Sequence, residues 1–323
     1  MNAEARFGEA KAADDIVLPF QIAAHALRGR LVRLGPAVDA ILNRHVYPEP
    51  VALLLGEALT LAAALAATLK YDGVFTLQTK GDGPVSMLVA DVTTQGALRG
   101  YAQVDHVRLK AALDRPGPDI EHDPVPRLLG AGYLAFTVDQ GTASDRYQGI
   151  VELNGATLAD CIHHYFRQSE QLQATINLAV GRADADGGKR WRAGALIIQR
   201  LPEMRGGDAD AEEEGWGDAA AKLASCTRAE LLDPDLPPDR LLYRLFHKGG
   251  IRAYRQRKLA DSCRCSRQRV ARMLRGLPMA ELEDLKVDSR LVVTCEFCNR
   301  GYGFDQREIA QLHAEPGPAA RPS

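Results

Sequence analysis

Two tight cysteine pairs near the C-terminus limit what this 323-residue chain can become: Cys263-Arg264-Cys265 and Cys295-Glu296-Phe297-Cys298. They hold four of its six cysteines. On an extended segment residues i and i+2 share a face, so the first pair can present both sulfurs to one point. The second pair has the spacing of a metal-binding knuckle. The 29 residues between the pairs leave room for one helix–strand unit. Four thiolates suit a zinc ion, with Zn–S bonds of about 2.3 Å. Arg264, Arg267, Arg269 and Arg300 lie close in sequence and are expected to offset the excess negative charge of such a site. The segment 259–323 lacks a large core of its own, so metal binding and folding should be one event there. The same pairs can instead close as local disulfides. The residues alone therefore leave open a structural zinc site and a redox-sensing one.

The rest of the chain has an ordinary globular balance, 46% hydrophobic and 25% charged, and is long enough for two or three domains. The net charge of -2 hides an asymmetry. Residues 248–323 carry 15 Lys/Arg against 9 Asp/Glu, whereas residues 1–247 carry 25 against 33. A basic end on an acidic body fits nucleic-acid binding, or two domains that attract one another. Residues 1–15 are polar and mixed in charge, with no signal-peptide pattern, so a reducing cytoplasm is the expected compartment. There, paired cysteines more often mean metal or redox chemistry than structural disulfides. Residues 51–69 are almost continuously apolar and near bilayer-spanning length. Glu57, Thr60, Thr68 and many alanines make a buried core helix the expectation instead, with no membrane partner.

The patterning implies an α+β protein in three parts. Residues 1–207 read as a large N-terminal α/β core domain, 208–258 as a helical linker with apolar faces, and 259–323 as a small zinc-binding domain with a disordered tail. Within the first part, residues 1–14 read as a loose tail and 15–34 as an extended region ending in a strand. A short helix follows from Pro36, then the long apolar helix with Pro48 and Pro50 at its start. Residues 74–79 and 85–90 flank Lys80-Gly81-Asp82-Gly83-Pro84 and read as a hairpin. Its glycines suggest a turn and not a phosphate loop, because no helix follows. Further strands are expected at 97–104, 132–139, 146–153, 175–180 and 193–201, with a helix capped by Thr157. In the last part, Ser266 and Asp305 cap helices and 291–294 is a strand.

Several separated stretches carry a resemblance. They are Leu54-Leu55-Gly56-Glu57-Ala58-Leu59, Lys80-Gly81-Asp82-Gly83-Pro84, Leu98-Arg99-Gly100-Tyr101 and Gly132-Tyr133-Leu134. Others are Arg146-Tyr147-Gln148-Gly149, Tyr165-Phe166-Arg167-Gln168-Ser169-Glu170-Gln171, Leu245-Phe246-His247 and the two cysteine motifs. From about Asp15 to Ile309 the chain resembles the redox-regulated 33 kDa chaperonin family of bacterial cytosolic heat-shock holdases. Arg264 stands where the family usually has an acidic residue, and Lys248-Gly249-Gly250 is a second departure. The resemblance implies a chaperone, not an enzyme, that is inactive while its four cysteines are reduced and hold Zn2+. Oxidation would close Cys263–Cys265 and Cys295–Cys298 as disulfides, release the ion, unfold the zinc domain and loosen the linker. The active form would be a homodimer, the reduced form a monomer. Its partners would be unfolding client proteins, held without ATP.

Two rivals arise from the residues. The basic helix Ser266-Arg267-Gln268-Arg269-Val270-Ala271-Arg272-Met273-Leu274 beside a zinc knuckle suggests a zinc-containing nucleic-acid-binding protein. The acidic main body and 6% aromatic content argue against it. Cys295 and Cys298 also have the spacing of a thiol–disulfide oxidoreductase, without its βαβ surroundings. Cys161, beside His163 and His164, and Cys226 read as core thiols. No Ser–His–Asp, paired-carboxylate or Walker-type arrangement stands out.

Overall fold

A computed structural model of the chain describes residues 13–69, 71–115, 120, 122–141, 147–168, 172–185, 187–200, 209–285 and 290–314. Arg146, Ser169-Glu170-Gln171, Gly206-Gly207-Asp208 and the residues beyond Ala314 lie outside them. The architecture is mixed α+β, and the chain divides into two compact units, Met1–Asp261 and Ser262–Ser323.

The first unit opens with an antiparallel hairpin, β1 (Ile16–Ile22) and β2 (Leu27–Leu34). The extended region expected over 15–34 is thus two strands, joined by a short turn closed by Ala26 at φ 49. Asp15 anchors the start of α1 (Pro36–Leu42): its carboxylate accepts from the backbone N–H of Gly35 at 2.9 Å and Ala37 at 3.1 Å. This satisfies donors that a helix N-terminus leaves open. Then come α2 (Glu49–Ala66), β3 (Val74–Gly81), β4 (Val85–Thr93) and β5 (Ala97–Val104). The sequence gives no sign of the next helix, α3 (His106–Asp114), which Asp105 caps by accepting from Val107 and Arg108 at 3.0 Å. Next are β6 (Gly132–Asp139), β7 (Tyr147–Glu152), α4 (Leu158–Gln168), β8 (Ala174–Ala185) and β9 (Gly188–Arg200). The last stretch of this unit holds α5 (Ala209–Ala224), α6 (Arg228–Leu232), α7 (Pro238–Phe246) and the short strands β10 (Ile251–Ala253), β11 (Arg257–Lys258) and β12 (Ala260–Asp261).

These strands form two sheets. One has the order β10-β1-β2-β9-β8, with β11 also beside β1; the other runs β12-β5-β4-β3-β6-β7. Between them lies α2, packed on β2, β8 and β9 of the first and β3, β4 and β5 of the second. Its length and composition would suit a membrane span, yet 78% of it is buried inside the protein. Gly56 lets the helix approach: a Cβ there would sit 2.5 Å from Val180 Cγ1.

The first sheet is apolar on both faces. Val17, Val32, Leu34, Ala195 and Ile197 join the core around α2. Ile16, Leu18, Phe20, Ile22, Leu27, Leu31, Leu196 and Ile198 join a second core with α5, α6 and α7, which supply Ala219, Leu223, Leu231, Leu241, Leu242, Leu245 and Phe246. Phe20 and Phe246 stack at 5.8 Å between centroids. Gly29 makes room for Phe20, whose ring a Cβ would strike at 2.0 Å. Buried Arg33 crosses this interface and donates to the carbonyls of Asp233 and Leu236, gripping the proline-rich break between α6 and α7. Arg192 donates to Leu232 O at 2.8 Å and pairs with Asp14. Asp14, read from sequence as part of a loose tail, therefore belongs to the folded body.

The second unit contains α8 (Arg267–Arg275), α9 (Met279–Asp284), the hairpin β13 (Leu291–Thr294) and β14 (Gly301–Phe304), and α10 (Gln306–Ala314). Ser266 caps α8, accepting from Arg269 N–H at 3.2 Å. Asp305 and Glu308 cap α10 reciprocally, at 2.8 and 3.0 Å. Neither α9 nor β14 was expected. The unit's core is small: Leu274, Leu282, Leu291, Tyr302, Phe304 and Ile309.

Candidate metal centre

The four paired cysteines meet in the second unit. Cys263 and Cys265 lie on the irregular segment just before α8. Cys295 and Cys298 lie on the turn joining β13 to β14. That turn is closed by Cys295 N–H donating to Arg300 O at 3.0 Å and Asn299 N–H donating to Cys295 O at 2.7 Å. Asn299 takes the left-handed conformation, φ 56, that so tight a reversal requires.

All four sulfurs lie within 4.8 Å of one another. Cys263 Sγ is 3.7 Å from Cys295 Sγ, and Cys265 Sγ is 3.2 Å from Cys298 Sγ. A tetrahedral ion with bonds of about 2.3 Å separates its sulfurs by about 3.8 Å. Soft donors, number and spacing therefore fit one zinc-sized ion. Among the described residues this is the one cluster of such ligands.

The surroundings favour the anionic form at one sulfur. Burial raises the Cys265 thiol, but hydrogen bonds from the Tyr302 hydroxyl, at 3.1 Å, and from the neighbouring thiols outweigh it and bring Cys265 down to about 7. Burial and then the bond to Cys265 push Cys298 up to about 12, and burial raises Cys295. Four sulfurs held this close suit a divalent cation, because coordination deprotonates thiols outright.

Among the four nearby arginines, Arg300 interacts electrostatically with Cys265 and Cys298. Arg267 instead pairs with Glu308 at 2.6 Å, donates to Gly303 O at 2.8 Å and lies 4.3 Å over the Phe304 ring. Arg269 donates to Arg264 O at 2.9 Å, and Arg275 to Leu312 O at 3.1 Å. Three of the four arginines on α8 (Arg267, Arg269 and Arg275) are thus used inside the unit. Cys295 and Cys298 sit on a strand–turn–strand, without the helix N-terminus that activates a thioredoxin-type pair. Cys161 and Cys226 are buried in the two cores of the first unit, where burial raises each thiol to about 11. Sequence reading missed Tyr302. The available signal was an apolar-plus-hydroxyl side chain four residues after Cys298, on a strand that pairs with the one leading into Cys295.

An α+β body joined in sequence to a compact unit that gathers four cysteines, placed to bind a metal ion, defines the class. The profile of the family described as "Hsp33 protein" matches residues 15–305. The "33 kDa chaperonin" of Caulobacter vibrioides is 42% identical over 298 residues, covering 90% of this chain and 95% of that protein. That of Ectopseudomonas mendocina is 37% identical over 296 residues, covering 91% and 93%. The crystal structure of the 33 kDa chaperonin (heat shock protein 33 homolog) of Thermotoga maritima superposes with a TM-score of 0.75, at 24% identity, over 94% of this chain and 98% of that one. The chain belongs to the Hsp33 family.

Proposed function

We propose that this protein is a redox-regulated, ATP-independent holdase, a binding protein and not an enzyme, that captures unfolding proteins when its four-cysteine centre is oxidised. Membership of the Hsp33 family supports a chaperone function. The observation that carries the redox reading is the cluster of four sulfurs beside a small core, six buried hydrophobic side chains among the described residues. In the reduced form Cys263, Cys265, Cys295 and Cys298 would hold Zn2+, which supplies the cross-link such a small core lacks.

Oxidation acts on the sulfurs. Two thiolates give two electrons to one peroxide, their S–S bond forms, and with two protons the peroxide becomes two waters. Repeated once, this consumes all four ligands. We assign the bonds to Cys263–Cys265 and Cys295–Cys298, because partners so near in sequence, with one and two residues between them, stay close once the cluster loosens. With its ligands gone the second unit has too little buried surface to stay folded. Helices α5, α6 and α7, which cover the second face of the first sheet, would then loosen. The apolar side chains beneath, Phe20, Leu27, Leu31 and Leu196 among them, would offer a sticky surface to clients at about 25 cal/mol per Å². Dimerisation of the oxidised form and residence in the cytoplasm belong to the same proposal.

The test is to treat the metal-loaded protein with peroxide at raised temperature. Metal release, free thiols and suppression of client aggregation are then measured together, with disulfides mapped by non-reducing digestion. Loss of four thiols and one metal, with onset of holding activity, is expected. Metal loss with no effect on aggregation defeats the chaperone reading.

A further inference from the structure

A cavity of about 340 Å³ in the first unit lies between the C-terminal end of α2, α4 and strands of both sheets. That volume is at the lower end of the range of small-molecule sites, roughly 300 Å³ upward. One wall is aromatic. Phe75 and Phe136 stack at 6.2 Å, and Tyr165 tilts against Phe136 at 5.1 Å. The facing wall is formed by β2 and β9 and carries Arg30.

Arg30 is only 9% exposed, and its Nε has no hydrogen-bond partner. Its Nη1 donates to the neutral amide oxygen of Gln199 at 3.0 Å. Among the described residues no carboxylate pairs with it. The charges felt at Arg30 are those of Arg28 and Arg257, both of the same sign. Burial, and then these two arginines, lower it to about 10, which leaves it charged at neutral pH. Arg200, also on the lining, is already neutralised by Glu212 and Glu213. Buried arginines elsewhere in this unit have an acidic partner: Arg192 and Arg33 share Asp14. A buried cation with no carboxylate on it among the described residues is costly, and an anionic ligand would offset that cost.

We propose that this cavity binds a small aromatic monocarboxylate, with the ring against Phe75, Phe136 and Tyr165 and the carboxylate on Arg30. A guanidinium can donate two parallel hydrogen bonds to one carboxylate, and Arg30 is the buried cation that lines this cavity. The apolar wall selects a ring over a simple anion, since it offers such an anion no further partner. Half-exposed Tyr147 and exposed Arg28 line the mouth, so a ligand can enter without opening the core.

The experiment is calorimetric titration of the full-length, reduced, metal-loaded protein with 3-phenylpropanoate, its neutral amide, and acetate. One site per chain for the phenylpropanoate is expected, with the amide and acetate each weaker by at least about tenfold, the loss of one charge-assisted pair or of the ring contact. Arg30→Gln should abolish the preference for carboxylate over amide. If that variant does not fold, the contrast among the three probes on the unaltered chain decides alone. Equal binding of carboxylate and amide, equal binding of acetate, or no binding of phenylpropanoate at millimolar concentration overturns the proposal. This outcome is independent of whether oxidation activates the protein.

Discussion

At the scale of single residues, the cysteine positions were readable because metal chemistry ties function to spacing. Pairs separated by one and two residues have few other reasons to exist. What spacing could not reveal is the neighbour that tunes them. Tyr302 is both a core side chain and a hydrogen-bond donor to Cys265. Tyr302→Phe keeps the ring and removes the donor. Metal affinity, measured by competition with a chelator, should fall about tenfold or more, as for other groups that orient ligands from behind. Glu57 is a second informative residue. Burial on α2 raises its carboxyl to about 7, against the pull of Arg228. A carboxyl raised in the folded state binds more protons there than in the unfolded chain between about pH 4.5 and 7, so stability falls as pH rises through that window. Glu57→Gln should flatten the fall and stabilise the first unit at pH 8 by on the order of 3 kcal/mol. Thermal melts of both forms at pH 5 and pH 8 check the sign; a wild-type protein no less stable at pH 8 than the variant contradicts it.

At the scale of elements, legibility tracked how much of each signal was local. The β3–β4 hairpin alternates cleanly around a glycine-rich turn, and α2 announces itself by unbroken apolarity. The β1–β2 hairpin was blurred because Arg28, Arg30 and Arg33 interrupt its pattern, and two of them are buried for reasons that lie on other elements. Helices α3 and α9 bury a single residue each, Leu109 and Leu282, so amphipathic periodicity had nothing to report. Strand β14 carries two glycines and exists because β13 pairs with it. The helices α5 and α7 were visible in sequence; α6 and the sheet that all three cover were not. Phe246→Ala on α7 should cost about 3–5 kcal/mol, because it empties the place against Phe20. If that cover conceals the client surface, the variant should also bind an apolar fluorescent dye while fully reduced. Dye binding unchanged from wild type would separate the cover from the client surface.

At the scale of the whole molecule, the two units have unequal means of staying folded. The first has a helix buried between two sheets and a second apolar layer outside. The second has, among the described residues, six buried hydrophobic side chains and four clustered sulfurs. Removing the metal with a chelator under reducing conditions should therefore abolish hydrogen-exchange protection across 262–314 while β3, β4, β6 and β9 keep theirs. Mass spectrometry of exchanged peptides reads this directly. Uniform loss, or none, would mean that the ion does not organise the second unit.

The hairpin β1–β2 and strand β9 are lined on both sides, by Val32 and Leu34 against α2 and by Leu27 and Leu31 against α7 and its neighbours. A lamina bonded on two sides can be peeled on one. Lifting the outer helices would bare a ready-made greasy plane whose backbone pairing and inner packing persist, so the molecule can shed a layer without coming apart.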